Sequence, residues 1–587
     1  MGKFENLAFN LLRLKQAVVA LVVGFAVLWL VIPPEIFEGF RDLERFAHER
    51  DTVLPLGLRA LVALVLVLIA LRWLWRSESR RLLDLGFRTF PSVFGFFDRR
   101  TSGQPGRTTW ATLYELLVYR RWKPRRILLG RLAMEQRPFG FLKGVWLGSE
   151  FETHILTVAP PGTGKGRAGL IPNLLTYPGS ALVVDPKGEL ARITAGRRGH
   201  GPSTLAGSRV TRWMGQDVHI IDPGNQSVFR GEDGDLRGTT ARFNPLAELS
   251  LGDEGFMQNG VDSIVEILLP NNPHSQDPFW DNAARAWIRA VTLHVLTYEP
   301  PERHNLPYVR HLVKAGDLEA YQLGVAQAAS DGGTAPCAGP VEALLEVMKH
   351  NTAFQGEVAV AAQRMEHDLG SSVGRNVMQI ATTALEWIGN ADMAHILSGS
   401  DFSLVDLKKK PTTIYIAMPA YQLRQNNRFL ITMILQLANM VMERERRIVP
   451  KDRVVFFIDE FTNIGYMKAI EDAFPLMRGL GLSIWAVVQD IDQIQRDYKG
   501  AFDVICSSCE IIQIMGTGNK NTARWAADLF GDLLLADDIL RLPPEEGKQL
   551  VFFRRGRVHR ALLELTPYDQ VFPRAMYDRD VTNPKSH

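Results

Sequence analysis

Cysteine is almost missing from this chain, with three in 587 residues, and that scarcity excludes a disulfide-stapled scaffold. One pair, Cys506 and Cys509, has CxxC spacing, but no second pair or histidine cluster completes a metal site. Its apolar, strand-like surroundings, "VICSSCEIIQIM", point instead to buried thiols in a reducing compartment. A dominant charge is missing too: 67 Lys and Arg stand against 64 Asp and Glu, a net +3, so total charge does not mark a nucleic-acid binder. Repeats and long low-complexity tracts are absent, which excludes a solenoid or a wholly disordered chain. What is present is a 46% hydrophobic composition and length for roughly three or four domains.

Two apolar runs lie near the N-terminus. "AVVALVVGFAVLWLVI", residues 17–32, covers roughly 24 Å as a helix and needs flanking residues to cross a hydrocarbon core of about 30 Å. Residues 54–75 form the second run, with Arg59 and Arg72 near its ends, where their charged heads can reach the interfaces. A cleaved signal peptide is the rival reading of the first run, but Pro33-Pro34-Glu35 follows it where small residues would be expected. A two-helix anchor, about 17–34 and 54–75, is therefore expected. The segment between the runs, residues 33–53, holds six acidic residues against three arginines, while residues 76–150 hold fifteen Lys or Arg against six Asp or Glu. The positive-inside rule then places both termini and the large domain in the cytoplasm.

The strand, turn and helix of a phosphate-binding loop can be read in "HILTVAPPGTGKGRAGLIPNLL", residues 154–175. Its expected nucleotide contacts are Ala159, Pro160, Pro161, Gly162, Thr163, Gly164, Lys165, Gly166 and Arg167, with backbone N–H groups turned toward phosphate oxygens and Lys165 reaching the β and γ phosphates. The general motif lacks two of its residues here: Ala159 stands where Gly is usual, and Gly166 where a magnesium-binding Ser or Thr is usual.

A second element answers it. "RVVFFIDEFTNIG" puts five apolar residues before Asp459-Glu460, as a buried parallel strand ending at the sheet's carboxyl edge does. There Asp459 can hold a magnesium water and Glu460 can polarise an attacking water. "LSIWAVVQD" ends in Gln489, whose amide can face the γ-phosphate or that water. Asp185 in "SALVVDPKGEL" also ends a buried strand, either near the metal or merely closing the strand.

Nearly three hundred residues separate Lys165 from Asp459, and residues 255–395 carry helical periodicity. In "DPFWDNAARAWIRAVTLHVL", Phe279, Ala283, Trp287, Val291 and Leu293 roughly follow a 3.6 period. Strand patterns resume at "TTIYIAMP", and "KQLVFFRRGRVHRALLEL" reads as a hairpin turning at Gly556. The arginines of "AGRRGHGPSTLAGSRVTRW" read as a solvated basic loop or, alternatively, as a channel lining.

The ordered set "APPGTGKG", "GSALVVDPKGEL", "ARFNPL", "DPFW", "SDFSLVDL", "FFIDEFTNIG" and "VVQDIDQIQ", behind two apolar spans, resembles the VirD4/TraG family of type IV coupling proteins over essentially the whole chain. The resemblance implies an α/β fold: a RecA-like P-loop nucleotide-binding domain (151–254 and 396–587) with an inserted all-α domain (255–395) associated with substrate recognition. The anchor (1–75) and a basic linker (76–150) precede it. It also implies a homohexameric inner-membrane ATPase using ATP and Mg2+, which feeds a relaxase–DNA complex, single-stranded DNA or effector proteins to the inner-membrane components of a type IV secretion system. By position, Lys165 contacts phosphate, Asp459 supports magnesium, Glu460 is the base and Gln489 senses the γ-phosphate. GKG is common in the family, so Gly166 fits it. Arg364 and Arg375 fall where an arginine acting on a neighbouring subunit would lie. Two alternatives compete: a docking receptor that hydrolyses little, and an FtsK-type translocase, against which the large helical insertion argues.

Overall fold

The structure is a computed structural model that describes residues 110–579, except 112, 133–144, 226, 231–234, 251, 271–277, 332, 335–336, 419–427, 468–470, 472–473, 475–476, 543–546 and 557. The two expected membrane spans lie outside the described residues, and no described helix is long and apolar enough to cross a membrane.

Eleven strands form one sheet: β1 Ile127–Leu132, β2 Trp146–Ser149, β3 His154–Val158, β4 Ala181–Asp185, β5 Asp217–Ile221, β6 Thr412–Ala417, β7 Val454–Ile458, β8 Leu482–Val488, β9 Cys509–Ile514, β10 Lys548–Phe553 and β11 Arg560–Glu564. Their order is β2-β1-β11-β10-β9-β3-β8-β7-β4-β6-β5. From β9 to β5 every neighbour pair is parallel. From β9 through β10, β11 and β1 to β2 every pair is antiparallel. The sheet is therefore mixed, and β10 and β11 form the expected hairpin, with Gly556 in its connection at φ 91°.

The central strands β3, β4, β7 and β8 are buried at every residue, which is why they read as unbroken apolar runs rather than alternations. Successive side chains still alternate between two cores. Val184, Phe456 and Ile458 point to one face, in a core continuous with the inserted helices. Val183, Phe457 and Trp485 point to the other, under the helix that follows the P-loop.

Between β5 and β6 the described chain is helical. It runs through Glu254–Leu268, Pro278–Tyr298, Leu306–Ala315, Leu318–Asp331, Pro340–Lys349, Ala353–Asp368, Ser372–Ala384 and Ala391–Leu397. Asp253, Asn305, Ser371 and Asn390 cap four of these helices by accepting from backbone N–H groups of the first turn. Trp287, Val291 and Leu293 are buried as the periodicity predicts, but Phe279 is 59% exposed, because it stands in the first turn, before the helix meets the core. Helix Leu318–Asp331 has no fully buried residue.

Two further expectations are corrected. Cys506 lies on helix Phe502–Ser508, and the strand begins only at Cys509. Both thiols are buried, and that burial raises Cys506 to about 12 and Cys509 well above its ordinary value, so both stay protonated. Arg198 is no loop cation either. It is completely buried and gives its N–H groups to Thr413 Oγ1 and to the carbonyls of Leu174, Tyr177 and Gly179.

Candidate nucleotide site

The P-loop leaves β3 between β9 and β8. Ala159 is buried and donates its N–H to Val488 O at 2.9 Å, so the residue after β3 is still tied to β8. Gly162 and Gly164 follow with φ of 84° and 80°, a conformation side chains with a Cβ resist. Thr163 braces the turn by donating its hydroxyl to Pro160 O at 2.8 Å, while Pro161 and Gly162 face solvent.

The helix expected after the loop is present in two parts. Lys165–Leu170 has π geometry, and Ile171–Thr176 is α-helical. Pro172 contributes to this break, because it has no N–H to give to the carbonyl of Ala168. Widened π turns recur at functional sites. Leu170 and Leu174 are buried as expected. Asn173 exchanges two hydrogen bonds with the backbone of Leu128, at 2.7 and 2.8 Å, fastening this helix to β1.

At the carboxyl edge Lys165 Nζ stands 3.4 Å from Asp459 Oδ1 and 3.7 Å from Glu460 Oε1. Lys187 Nζ is 3.9 Å from the same Glu460 oxygen. Asp459 is buried, and burial holds its carboxyl above the usual range; Lys165 opposes this shift and Glu460 adds to it. Asp459 Oδ1 has no aligned hydrogen-bond donor among the described residues. A buried carboxylate oxygen met by a long 3.4 Å ion pair to a phosphate-loop lysine suits a divalent cation or one of its waters. Glu460 lies in the left-handed region, φ 59° and ψ 52°, a strained conformation for a side-chain-bearing residue and one that clusters at active sites.

Asp185 ends β4, beside β7 in parallel register. Its Oδ2 accepts from Ala191 N at 2.9 Å, so it closes the turn into helix Glu189–Arg198. Burial raises its carboxyl to about 7, against the Ala191 bond and with help from Asp459. Gln489 follows β8, the strand between β3 and β7, and its backbone N–H points to Gln493 Oε1 at 3.4 Å. Arg167 is engaged elsewhere: its Nε and Nη2 donate to the two oxygens of Asp569, at 2.8 and 2.5 Å. Arg364 and Arg375 are both exposed on helices of the insertion. Sequence reading missed Asp569, Thr462 and Gln493; for Gln493 a signal existed in "VVQDIDQIQ", and for Asp569 none.

Parallel strands within a mixed sheet, with a glycine-rich loop after one, an Asp-Glu pair after another and a third strand between them, define a P-loop nucleotide-binding protein. A family model described as Type IV secretory system Conjugative DNA transfer matches residues 116–533, and the chain belongs to that family of type IV coupling proteins. Conjugal transfer protein TraG of Escherichia coli is 25% identical over 394 residues, 64% of this chain and 55% of TraG. Protein VirD4 of Agrobacterium fabrum is 22% identical over 404 residues, 66% of this chain and 51% of VirD4. The match thus spans about half the length of these curated relatives. Among solved structures, plasmid coupling protein TrwB in complex with the non-hydrolysable GTP analogue GDPNP aligns with TM-score 0.50 and 14% identity, covering 80% of this chain and 98% of that chain. This likeness shows a shared fold.

Proposed function

We propose that the chain is a membrane-anchored ATPase that couples a substrate to a type IV secretion system and drives its transfer by ATP hydrolysis. The observation that carries this reading is the convergence of Lys165, Asp459 and Glu460 within 3.7 Å at the carboxyl edge of the sheet. Lys165 would exchange its carboxylate partners for the β and γ phosphates. Glu460, freed of that contact, would accept the proton of a water attacking in line, and Gln489 would orient that water or the γ-phosphate. Magnesium, held by Asp459 through water, would neutralise phosphate charge. Catalysis would come from positioning and charge stabilisation, without a covalent intermediate. Arg364 and Arg375, exposed on the insertion, are the candidates for reaching a neighbouring subunit of a homohexamer.

The anchor at 17–34 and 54–75 would hold the chain in the inner membrane, with both termini and the large domain in the cytoplasm. The inserted helices would meet a relaxase–DNA complex or effector proteins. Helix Leu318–Asp331 supports this, because it spends none of its residues on the core and leaves Leu323 67% exposed.

The test is ATP turnover by the full-length chain in detergent, with and without single-stranded DNA, compared with Lys165→Ala and Glu460→Gln. Turnover abolished in both variants is expected. Wild-type turnover no faster than theirs would favour the docking receptor, the reading that the missing hydroxyl at Gly166 motivates.

A further inference from the structure

The proposed ATPase accounts for Glu460 and Gln489 but not for what keeps them in register. Behind them lies the short helix Ile491–Asp497, which is bonded to the turn after β7, to the residue after β8 and to the start of helix Lys520–Phe530. Gln493 Oε1 accepts from the hydroxyl of Thr462 at 2.8 Å and from the backbone N–H of Gln489 at 3.4 Å. Both partners can donate, and the Gln489 N–H can only donate, so it is the amide oxygen and not the nitrogen that faces them. Thr462 lies two residues beyond Glu460, in the turn after β7; Gln489 is the first residue after β8. One oxygen atom therefore sits between the turn that carries the base and the strand end that faces the γ-phosphate.

The rest of the helix holds this oxygen in place. Asp490 caps it by accepting from Gln493 N at 3.0 Å. Ile491 N donates to Thr522 Oγ1 at 3.1 Å, and Asn519 Nδ2 donates to Asp492 at 2.7 Å, which fastens the helix to the N-terminus of helix Lys520–Phe530. Tyr498, one residue past the helix, stacks on Phe461 with ring centroids 5.4 Å apart and donates to Gly465 O at 3.3 Å. Glu460 needs such support, because its left-handed backbone is not one it would keep without surrounding restraint.

We propose that Gln493 is a positioning residue for hydrolysis: its side-chain oxygen locks the Glu460 turn to the Gln489 strand end. The proposal rests on the ATPase reading above. The Gln493 side-chain oxygen is engaged by Thr462 and Gln489, so its loss is expected to lower turnover and leave nucleotide binding nearly unchanged.

The experiment measures steady-state ATP turnover and binding of a fluorescent ADP analogue for the full-length chain, with Lys165→Ala as baseline. Gln493→Leu is expected to lower kcat by about 10- to 100-fold, the scale of a misplaced catalytic group, with KM and ADP affinity changed by less than about twofold. Thr462→Val is expected to act likewise, and the double variant to be no worse than the poorer single one. Gln493→Glu keeps an acceptor oxygen at the same reach and is expected to recover most of the turnover. Wild-type kcat in Gln493→Leu overturns the proposal. So does a fall accompanied by equal loss of ADP affinity without recovery in Gln493→Glu, which is the mark of a merely structural side chain. Should Gln493→Leu not fold, wild-type kcat in Thr462→Val overturns it equally. Wild-type turnover no faster than Lys165→Ala would instead sink the ATPase reading itself.

Discussion

The carboxyl edge of the sheet and the helical insertion treat charge in opposite ways. In the insertion, cations and carboxylates pair at the surface: Arg289 with Asp262 and Glu357, Arg303 with Glu299 and Glu319, Lys349 with Glu346 and Glu366. Among the described residues, buried polar atoms of its interior without an aligned hydrogen bond include the indole N–H groups of Trp287 and Trp387 and Nε of Arg310, whose Nη2 pairs with Glu386. At the carboxyl edge, among the described residues, Oδ1 of Asp459 and Oδ1 of Asp185 are buried without an aligned hydrogen bond, and Lys165 is shared at 3.4 and 3.7 Å between Asp459 and Glu460. Burying a carboxylate without full compensation costs stability. The edge bears that cost where nucleotide is proposed to bind, while the insertion spends its side chains on folding.

The largest expected effect follows from this contrast. Asp459→Asn keeps the shape and removes the buried charge, so turnover is expected to fall by about 100-fold or more, while the nucleotide-free chain melts at a higher temperature than wild type. Phosphate release and thermal melts measured on the same preparation check both signs. A variant that loses both activity and stability would show that the Asp459 carboxylate supports the fold, and the contrast would fail. In the insertion the matching change is Leu344→Ala, at a fully buried position. It is expected to cost about 2–5 kcal/mol of stability, read from denaturant unfolding, with nucleotide binding retained.

These two positions also mark what was legible in the sequence. Leu344 and Asp459 both sit in local patterns, a helical period and an apolar run closed by acid, and local patterns survive in one dimension. The β10–β11 hairpin is legible for the same reason, but the strand order is not: it pairs β11 with β1 and so joins residues about four hundred positions apart, which no local pattern encodes. The same holds for the buried ladder in which Trp485 Nε1 donates to Thr157, Thr157 to Gln513, Gln513 to Gln549 and Gln549 to the carbonyl of Leu129. It was unreadable because Thr and Gln look like surface residues until their partners are known. The ion pair of Arg167, a loop residue expected at the nucleotide, with Asp569 joins positions about four hundred residues apart as well.

A pH series sharpens the comparison further. His154, at the start of β3, receives Ile484 N on Nδ1 and gives Nε2–H to Phe474 O; His294 lies inside the insertion. Burial lowers both to about 4 from an ordinary 6.5. Between those values the unfolded chain binds protons that the folded one refuses, so their stabilisation is complete above pH 6.5 and lost as pH falls toward 4. Asp185, raised to about 7, acts in the opposite sense: its contribution is present below the ordinary carboxylate value of 3.8 and is lost as pH rises through 7. Replacing His294 by Gln is expected to flatten the acid-side stability slope by up to about 1.4 kcal/mol per pH unit, measured by urea unfolding at pH 4.5, 5.5 and 6.5. An unchanged slope would show that His294 is not held neutral in the folded chain.

The smallest expected effect concerns the residue that made the phosphate loop look defective. Gly166 has an ordinary negative φ, and nothing lies within 4 Å of where a Cβ would stand. Geometry therefore does not require glycine there, in contrast to Gly162 and Gly164 with their positive φ. Gly166→Ser is expected to fold with stability within about 0.5 kcal/mol of wild type, since serine suits a helical turn better than glycine does. Its hydroxyl would offer a metal-ligating oxygen beside Lys165, so Mg2+ affinity in the presence of ADP should rise, while turnover should change little because magnesium readily keeps a water in place of one protein ligand. Titration of Mn2+ followed by electron paramagnetic resonance reads the affinity directly. If the serine variant binds the ion no more tightly, the loop does not present residue 166 to the metal, and Asp459 with its waters is sufficient for its coordination.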